Sequence, residues 1–304
     1  MTAETSSPPT IDAVPLRHPW RWVSAAVIIA LVGLFLYGAA TNPDYHWSTY
    51  SKYIFDQRIS TAAWNTIQLT VLSMLLAVVL GVVLAVMRLS PNPVLRSVSW
   101  AYIWIFRGTP VYVQLVFWGL FPVLYKNIQL GIPFGPSLFH FSIQHLSLYF
   151  LLSMIGLGLN EAAYMAEIIR AGISSVPEGQ TEASTALGMS WWMTMRRTIL
   201  PQAMRVIIPP TGNEVISMLK TTSLVIAVPY SLELYGRAHD IGIALFQPIP
   251  LLLVAATWYL AITSVLMVGQ YYLERYFSRG ASRKLTTKQL LALAQAQRVV
   301  EEHQ

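Results

Sequence analysis

Long apolar runs are the feature that most constrains this chain, and the first of them, Val23–Ala40, contains no charged residue. A run of this length is able to cross the hydrocarbon core of a bilayer as a helix. Hydrophobic residues make up 55% of the chain and charged residues 11%, whereas about a quarter of a typical soluble domain is charged. The pattern therefore predicts an all-α protein that crosses a membrane several times.

Six transmembrane helices are predicted from these runs and from the residues that interrupt them. They cover Val23–Ala40, Thr61–Met87, Ala101–Tyr125, Leu146–Arg170, Val206–Leu234 and Ile249–Tyr272. Arg107–Pro110 interrupts the third span, where we expect a helix to begin with Thr109 as its N-cap and Pro110 at its first position. The fifth span is expected to be broken. Gly38–Ala40 also fits a signal-peptide cleavage site, but the first run is long for a signal peptide and is interpreted as a membrane helix.

The distribution of lysine and arginine predicts the orientation of these spans. Fifteen of them fall on one side, namely Arg17, Arg21, Arg88, Arg96, Arg107, Arg170, Arg196, Arg197, Arg205, Arg275, Arg279, Arg283, Lys284, Lys288 and Arg298. Only Lys52, Arg58, Lys126 and Arg237 fall on the other. Because the basic side of a membrane protein faces the cytoplasm, both termini and the loop 174–205 are expected inside. The net charge of +6 is thus a topology signal, and it does not indicate nucleic-acid binding.

The loop 174–205 is too polar for lipid and has a pattern of its own. Thr181 is a predicted helix N-cap, with Glu182 in the first turn where a negative charge suits the helix dipole. Ala183 and Leu187 then share one face of a short helix, which Gly188 ends. A small apolar face on a cytoplasmic helix is typical of a segment that enters a groove on another protein.

The run Glu182-Ala183-Ser184, followed by Gly188 and by Leu200-Pro201, resembles the "EAA" loop by which ABC importer permeases dock on their ATPase. Two positions depart from the motif: its third alanine is Ser184, and its usual isoleucine is Thr198. Further matches to the branch that imports polar amino acids are Ala163-Tyr164 with Glu167 and Arg170, Val176 to Gln180, Phe106 to Pro110, and Lys220 to Leu224.

The resemblance implies a permease of the type I ABC importer class, located in a prokaryotic inner membrane. Its partners would be two ATPase subunits, a second permease subunit (the same chain or a paralogue), an extracytoplasmic solute-binding protein and a polar or charged amino acid. This chain would bind no cofactor, since ATP and Mg²⁺ would belong to the ATPase. The residues expected to contact the ATPase are Glu182, Ala183, Ser184, Leu187, Gly188, Leu200 and Pro201.

The same resemblance suggests how the chain is organised. Permeases of this branch have five core spans, so the first helix would be an addition. The expected parts are a cytoplasmic tail (1–22), the extra helix with an external connection (23–60), the permease domain (61–277) and a cytoplasmic C-terminal tail (278–304), helical around Lys288–Val300.

Ionisable residues inside a membrane usually line a cavity or pair with a partner. On the fourth span, Asn160, Tyr164 and Glu167 share a face, and Glu161 lies about 100° around the helix. We expect Glu161 to accept the ammonium or guanidinium group of a ligand, or else to pair within the bundle. Glu167 and Arg170, three residues apart, are expected to form an ion pair.

Four other polar residues are candidates for the substrate path. Asn65 and Thr66 lie on the second span, although such side chains more often bond across helices than bind ligands. Gln114 lies one turn into the helix after Pro110. Lys220 aligns with Asn213 and Ser217, and lacks the Asp that usually follows it in the family. Its expected partner is Glu214, Glu161 or a substrate carboxylate, so the sign of the ligand's charge is left open.

Catalytic chemistry finds no support in the sequence. It contains no phosphate-binding G-x-x-x-x-G-K-[ST] loop, no H-E-x-x-H metal motif and no G-x-S-x-G nucleophile motif. No catalytic residue and no metal site are therefore predicted, and an intramembrane enzyme is disfavoured. The main alternative is an ion-coupled carrier or channel for small polar solutes that needs no ATPase.

Overall fold

The computed structural model describes residues 19–124, 127–131, 137–142 and 146–277. The chain divides into two compact units, Met1–Trp47 and Ser48–Gln304. Most of the predicted N-terminal tail and the predicted helix around Lys288–Val300 lie outside the described residues.

The first unit contains one long helix, α1 (Pro19–Thr41), which includes the whole predicted run Val23–Ala40. Its segment Trp20–Thr41 is long and apolar enough to cross a membrane. A 3₁₀ turn, Pro43–Tyr45, follows, with the Asn42 side chain accepting a hydrogen bond from the Asp44 N–H at 2.9 Å. The apolar side chains of α1 are exposed within this unit, as a lipid-facing helix requires.

The second unit is a helical bundle with one small hairpin. Its elements are α2 (Trp47–Tyr53), α3 (Gln57–Leu89), α4 (Pro93–Gly108), α5 (Val111–Leu124), β1 (Asn127–Gly131), β2 (Ser137–Ser142), α6 (Leu146–Ser174), α7 (Glu178–Ala186), α8 (Trp191–Thr194), α9 (Leu200–Thr221), α10 (Leu234–Ala244) and α11 (Pro248–Phe277). The helical fold agrees with the all-α prediction, and the antiparallel pairing of β1 with β2 is a small addition to it. It lies between the predicted third and fourth spans.

Helices α3 and α6 form the centre of the bundle. Small residues allow their close approach, as expected where helices pack in a membrane. A Cβ atom placed on Gly81 of α3 would lie 2.6 Å from the Cβ of Met165 on α6. Ala77 of α3 and Ala166 of α6 are completely buried. This close pair positions the polar residues at the middle of α6.

Four helices are long and apolar enough to cross a membrane among the described residues: Trp20–Thr41, Gln57–Leu89, Leu148–Ser174 and Pro248–Phe277. They correspond to four of the six predicted spans. The predicted third span, Ala101–Tyr125, is divided between α4 and α5, with the break at Thr109 and Pro110. The predicted N-cap role of Thr109 is wrong, because its hydroxyl donates to the Ile105 carbonyl at 2.8 Å and so closes the end of α4.

The helix that contains the start of the predicted fifth span, Val206–Leu234, is longer than the span itself. Helical structure begins much earlier, at Trp191, and passes through a π-helical turn at Met195–Ile199 into α9. Arg196, Arg197 and Arg205 led us to predict a loop before Val206. A helix that extends beyond the lipid can carry these arginines, because they are exposed. The expected break is present, since a 3₁₀ segment, Thr222–Ala227, follows α9 and Leu234 begins α10.

Candidate functional site

The break between α4 and α5 is closed by two amide side chains. The Phe106 carbonyl lies in the last turn of α4, where carbonyl groups lack an intrahelical partner. It accepts hydrogen bonds from the side-chain amides of Gln114 and Asn160, each at 3.0 Å. Asn160 also donates to Gln114 Oε1 at 3.1 Å. Both residues were predicted to line the substrate path, and these bonds give them in addition a structural role in holding the break in place.

A polar cavity of about 520 Å³ opens beside this break. It lies between the α4–α5 junction, α6 and α9, and its volume is within the range of small-molecule sites. Its polar lining residues are Arg107, Thr109, Asn160, Glu161, Tyr164, Glu214, Ser217 and Thr221. Three predicted path residues, Asn160, Glu161 and Tyr164, therefore meet here, together with Glu214.

Two carboxyl groups face each other inside this cavity. Glu161 of α6 is only 8% exposed, and its side chain is in contact with that of the half-buried Glu214 of α9. Among the described residues, Glu161 Oε1 has no hydrogen-bond partner. Like charges at close range repel most strongly where water is scarce. The arrangement therefore favours a cation that enters between the two carboxyl groups.

One positive charge lies on the wall of the same cavity. The Arg107 guanidinium is positioned over the ring of Tyr164, 5.1 Å from its centroid. A cation over an aromatic face is attracted by the ring quadrupole, so this contact holds Arg107 beside the cavity. Sequence reasoning used Arg107 as a topology signal and as part of a family motif, and did not place it beside Tyr164, which is far away along the chain.

Asn65 and Thr66, the two substrate-path candidates on α3, lie outside this cavity. The Asn65 side chain donates to the Leu232 carbonyl at 2.9 Å, and the fully buried Thr66 hydroxyl accepts from the Leu234 N–H at 2.9 Å. Neither residue lines the cavity that contains Glu161. Both instead fix the chain segment that leads into α10.

Sequence reasoning missed Glu233, a completely buried carboxyl group at the start of α10. Its oxygens accept hydrogen bonds from the Tyr235 N–H at 2.8 Å, from the Gly236 N–H and from the Tyr259 hydroxyl at 3.1 Å. Glutamate is not one of the preferred N-cap residues, and Glu233 fell at the end of a predicted span. The signal was a carboxylate directly before a helix, where the dipole favours negative charge.

Lys220 lies in a second cavity of about 390 Å³, between α9 and α11, which Glu274 also lines. In the part of the chain that the structure describes, Lys220 forms no ion pair. The expected pairing with Glu214 or Glu161 is therefore absent. Helix geometry explains this result, because six residues turn a helix by about 600°, which places Glu214 and Lys220 on different faces of α9. Glu214 is likewise in contact with Glu161 rather than in the ion pair considered for it.

The predicted ion pair between Glu167 and Arg170 is present. Arg170 Nη2 lies 2.8 Å from Glu167 Oε2, and Arg170 Nε donates to the same oxygen at 3.0 Å. Both side chains are partly exposed near the end of α6, so the pair belongs to that end and is separate from the cavity.

The predicted docking segment forms the short helix α7, which ends as expected. Leu187 is its C-cap, and Gly188 follows with φ of +72°, a conformation that favours glycine. The start of the helix is a correction, because α7 begins at Glu178 after Pro177 and Thr181 lies inside it. Proline fixes the backbone before the first turn, and this outweighs the capping preference of Thr181.

The motif residues divide between an exposed face and a packed face. Glu182, Ala183 and Leu187 are exposed, and Leu187 is 81% exposed. Ser184 is buried against the π-helical turn that leads into α9. Leu200 and Pro201 begin α9 directly after the π-helical turn, and Pro201 has no N–H to donate at this junction. An apolar side chain on a polar helix is thus left available to a partner.

Apolar helices around a polar cavity, with a short exposed helix outside the spans, define a membrane transport subunit. Residues 77–279 match the family described as binding-protein-dependent transport system inner membrane component, and the chain belongs to this family. It is 65% identical to the arginine transport system permease protein of Corynebacterium glutamicum, over 97% of this chain and 92% of the relative. It is 37% identical to the histidine/lysine/arginine/ornithine transport system permease protein of Escherichia coli K12, over 66% and 81%.

Solved structures agree with this assignment. An amino acid ABC transporter solved with histidines superimposes with a TM-score of 0.62 and 31% identity, over 74% of this chain and 97% of that one. The MetNI methionine transporter superimposes with a TM-score of 0.57 over 73% of this chain and 97% of that one. At 18% identity, this match shows only that the two chains share a fold. The chain therefore has the type I ABC permease fold.

The family settles the class of function. The chain is a permease subunit of an amino acid ABC importer in the inner membrane, and a partner ATPase hydrolyses the ATP. It works with a second permease subunit and a solute-binding protein. The alternative of a carrier or channel without an ATPase is set aside.

Proposed function

We propose that the transported amino acid is cationic and that its positive side chain enters between Glu161 and Glu214. The observation that carries this proposal is the contact of the two carboxyl groups within the cavity, with Glu161 Oε1 left without a protein partner among the described residues. A guanidinium or ammonium group offers the donor that Glu161 Oε1 lacks. A guanidinium suits the two carboxyl groups best, because its fork binds carboxylates with two parallel hydrogen bonds.

The charges of the cavity support a ligand with more positive than negative groups. Its wall carries two carboxyl groups, Glu161 and Glu214, which can both be ionised when a cation lies between them, and one guanidinium, Arg107. A cationic amino acid carries two positive groups and one carboxylate, so each charge finds an opposite one. A neutral amino acid carries a single positive group and leaves one buried carboxylate unpaired, which is costly.

The relatives point in the same direction. The permease at 65% identity is named for arginine, and the one at 37% identity is named for histidine, lysine, arginine and ornithine. At 38% identity, an L-cystine permease of Bacillus subtilis covers 73% of this chain, so relatedness at that level does not fix the substrate. The pair of carboxylates is therefore the stronger argument for a cation.

For the assembly, we propose six spans with both termini in the cytoplasm and the α1 helix added before five core spans. In this topology the chain consists of a tail (1–22), the added helix with its external connection (23–60), the permease domain (61–277) and a C-terminal tail (278–304). Two ATPase subunits would bind the cytoplasmic loop 174–205 of two permease subunits, and ATP and Mg²⁺ would be held by the ATPases alone. The exposed Leu187, with Glu182 and Ala183 beside it, gives α7 a face for a groove. Movement of α7 would then open the cavity alternately to the two sides.

The test is ATPase stimulation in the assembled complex with its binding protein, reconstituted in liposomes. Arginine and lysine should stimulate hydrolysis and enter the liposomes, whereas citrulline, a neutral isostere of arginine, should do neither. Equal transport of citrulline and arginine would contradict the proposal. A Glu182→Arg complex should keep ligand binding and lose ATP-driven uptake; normal uptake by this variant would count against docking through α7.

A further inference from the structure

Two tryptophans lie side by side on the exposed side of α4. The rings of Trp100 and Trp104 stack with 5.9 Å between their centroids and an angle of 3° between their planes. Their side chains are 51% and 64% exposed. Arg96, which is also exposed, lies four positions before Trp100, and residues four positions apart are neighbours on a helix surface. Arg96, Trp100 and Trp104 therefore form one continuous line, the α4 stripe.

A hydrogen bond between α3 and α4 indicates how deep this stripe lies in the membrane. The Ser99 hydroxyl donates to the Leu84 carbonyl at 2.8 Å. Leu84 is about 15 Å along the helix from the middle of the predicted span Thr61–Met87, and half of the hydrocarbon core is also about 15 Å thick. Ser99 therefore lies near the boundary between hydrocarbon and headgroups, with Arg96 about 4.5 Å outside it and Trp104 about 7.5 Å inside it.

The polar groups of the stripe have no partner in the part of the chain that the structure describes. Arg96 forms no ion pair there, and helices α3 and α4 contain no Asp or Glu. The indole N–H groups of Trp100 and Trp104 form no hydrogen bond there. A cation and N–H donors at the edge of the hydrocarbon need oxygen acceptors. A phospholipid offers these acceptors in the same order along its length, first a phosphate and then ester carbonyls.

We propose that the α4 stripe binds a phospholipid of the cytoplasmic leaflet and prefers an anionic headgroup. Arg96 binds the phosphate, the Trp100 indole N–H donates to an ester carbonyl, and Trp104 supports the upper part of an acyl chain. A guanidinium suits a phosphate because it donates two parallel hydrogen bonds, and the anionic cytoplasmic leaflet attracts arginine. The choice of leaflet rests on the proposed topology; lipid binding itself does not depend on the transported amino acid.

A helix of another protein is the competing occupant of this exposed face. Lipid is favoured because the charge of Arg96 lies at the depth of the headgroups and the tryptophans lie directly below it, the usual order at a membrane interface. A partner helix would instead need an acidic side chain at the depth of Arg96 and hydrogen-bond acceptors one and two turns further in. The two occupants are separated by experiment.

Native mass spectrometry of the permease–ATPase complex, titrated with dioleoylphosphatidylglycerol or dioleoylphosphatidylcholine, measures this binding directly. Neither arginine nor ATP is present, so a failure here is distinguishable from failure of the proposed function. The wild type should bind phosphatidylglycerol more tightly. Arg96→Gln should weaken phosphatidylglycerol binding by about fivefold and remove the preference, whereas Arg96→Lys should keep it. Trp100→Leu should weaken both lipids by a similar factor, because both have ester carbonyls.

Two controls and a crosslink complete the test. Arg205→Gln and Trp64→Leu change exposed residues outside the stripe and should leave the preference intact. An unchanged preference in Arg96→Gln, or an equal loss in Arg205→Gln, would overturn the proposal. Trp104→p-benzoylphenylalanine, activated by light in membrane vesicles, should crosslink to lipid. A crosslink to a protein chain would assign the stripe to a partner helix and contradict the inference.

Discussion

The hydroxyl oxygens of Ser184 and Thr198 lie 3.1 Å apart, at the contact between α7 and the π-helical turn before α9. These are the two positions at which the docking loop departs from the family's motif, and the structure brings them together. Ser184 also donates to the Gln180 carbonyl at 2.8 Å. Because a hydroxyl has a single proton, Ser184 donates either to the Gln180 carbonyl or to the Thr198 hydroxyl oxygen, and not to both at once. A hydrogen bond here replaces an apolar contact between alanine and isoleucine.

Replacing only one of these two residues should lower the free energy of unfolding more than replacing both. Thr198→Val removes the bond to Ser184 and should lower the free energy of unfolding by about 1 kcal/mol. Ser184→Ala combined with Thr198→Ile restores the apolar pattern of the motif, and should be close to neutral. Thermal unfolding of the purified subunit checks this prediction. Effects that simply add, with no coupling between the two positions, would contradict the contact.

The exposed leucine of α7 should decide whether the ATPase binds. Leu187→Asp places a charge on the apolar face, and the amount of ATPase that co-purifies should fall by about tenfold or more. Phe55→Asp is a matched control, because Phe55 is 82% exposed in the connection before α3, and it should leave ATPase binding unchanged. Equal loss in the two variants would indicate general instability instead of a docking surface.

Gly188 should resist replacement by alanine. Its φ of +72° costs a residue with a Cβ atom roughly 1 kcal/mol, although the space around the atom is open. We expect Gly188→Ala to weaken the end of α7 and to reduce ATP-coupled uptake more than ligand binding. Gly179→Ala, also in open space, is the control. Identical behaviour of the two variants would show that the turn does not matter.

Glu233 should be a stability residue. Glu233→Ala would leave the Tyr235 and Gly236 N–H groups and the Tyr259 hydroxyl without their acceptor, and we expect a loss of roughly 2–4 kcal/mol. Glu233→Gln keeps one acceptor oxygen and should lose less. Thermal unfolding of the complex in detergent measures both. A larger loss for the glutamine variant than for the alanine variant would contradict the capping role.

The sequence predicted the features that depend on local pattern. Helices α1, α3, α6 and α11 follow from apolar runs, and the end of α7 follows from Gly188. The start of α7 was missed because Thr181 has a good capping side chain, while the backbone of Pro177 decides where the helix begins. The pair Glu167–Arg170 could be predicted from the sequence, because side chains three positions apart lie close together on a helix.

The composition of the cavity could not be predicted in the same way, because it depends on how separate helices pack against one another. Glu161 was singled out as a buried charge, but its neighbour Glu214 is on another helix, and their contact follows from how α6 packs on α9. Lys220 lies on a different face of α9 from Glu214, so it is turned away from both carboxyl groups. Asn160 and Gln114 were polar candidates on the correct helices, yet their bonds to the Phe106 carbonyl exist only because α4 ends there.

Direct binding of arginine to the permease–ATPase complex, without the binding protein, tests the central claim most directly. Without the binding protein, any selection is made by the cavity. The wild type should bind arginine and discriminate against citrulline, and Glu161→Gln and Glu214→Gln should each weaken arginine binding by about 10–100-fold, as loss of a charge-assisted bond implies, with little effect on citrulline. Asn65→Ala, outside the cavity, should leave the preference intact. Arginine binding that is unchanged in both glutamine variants would contradict the account.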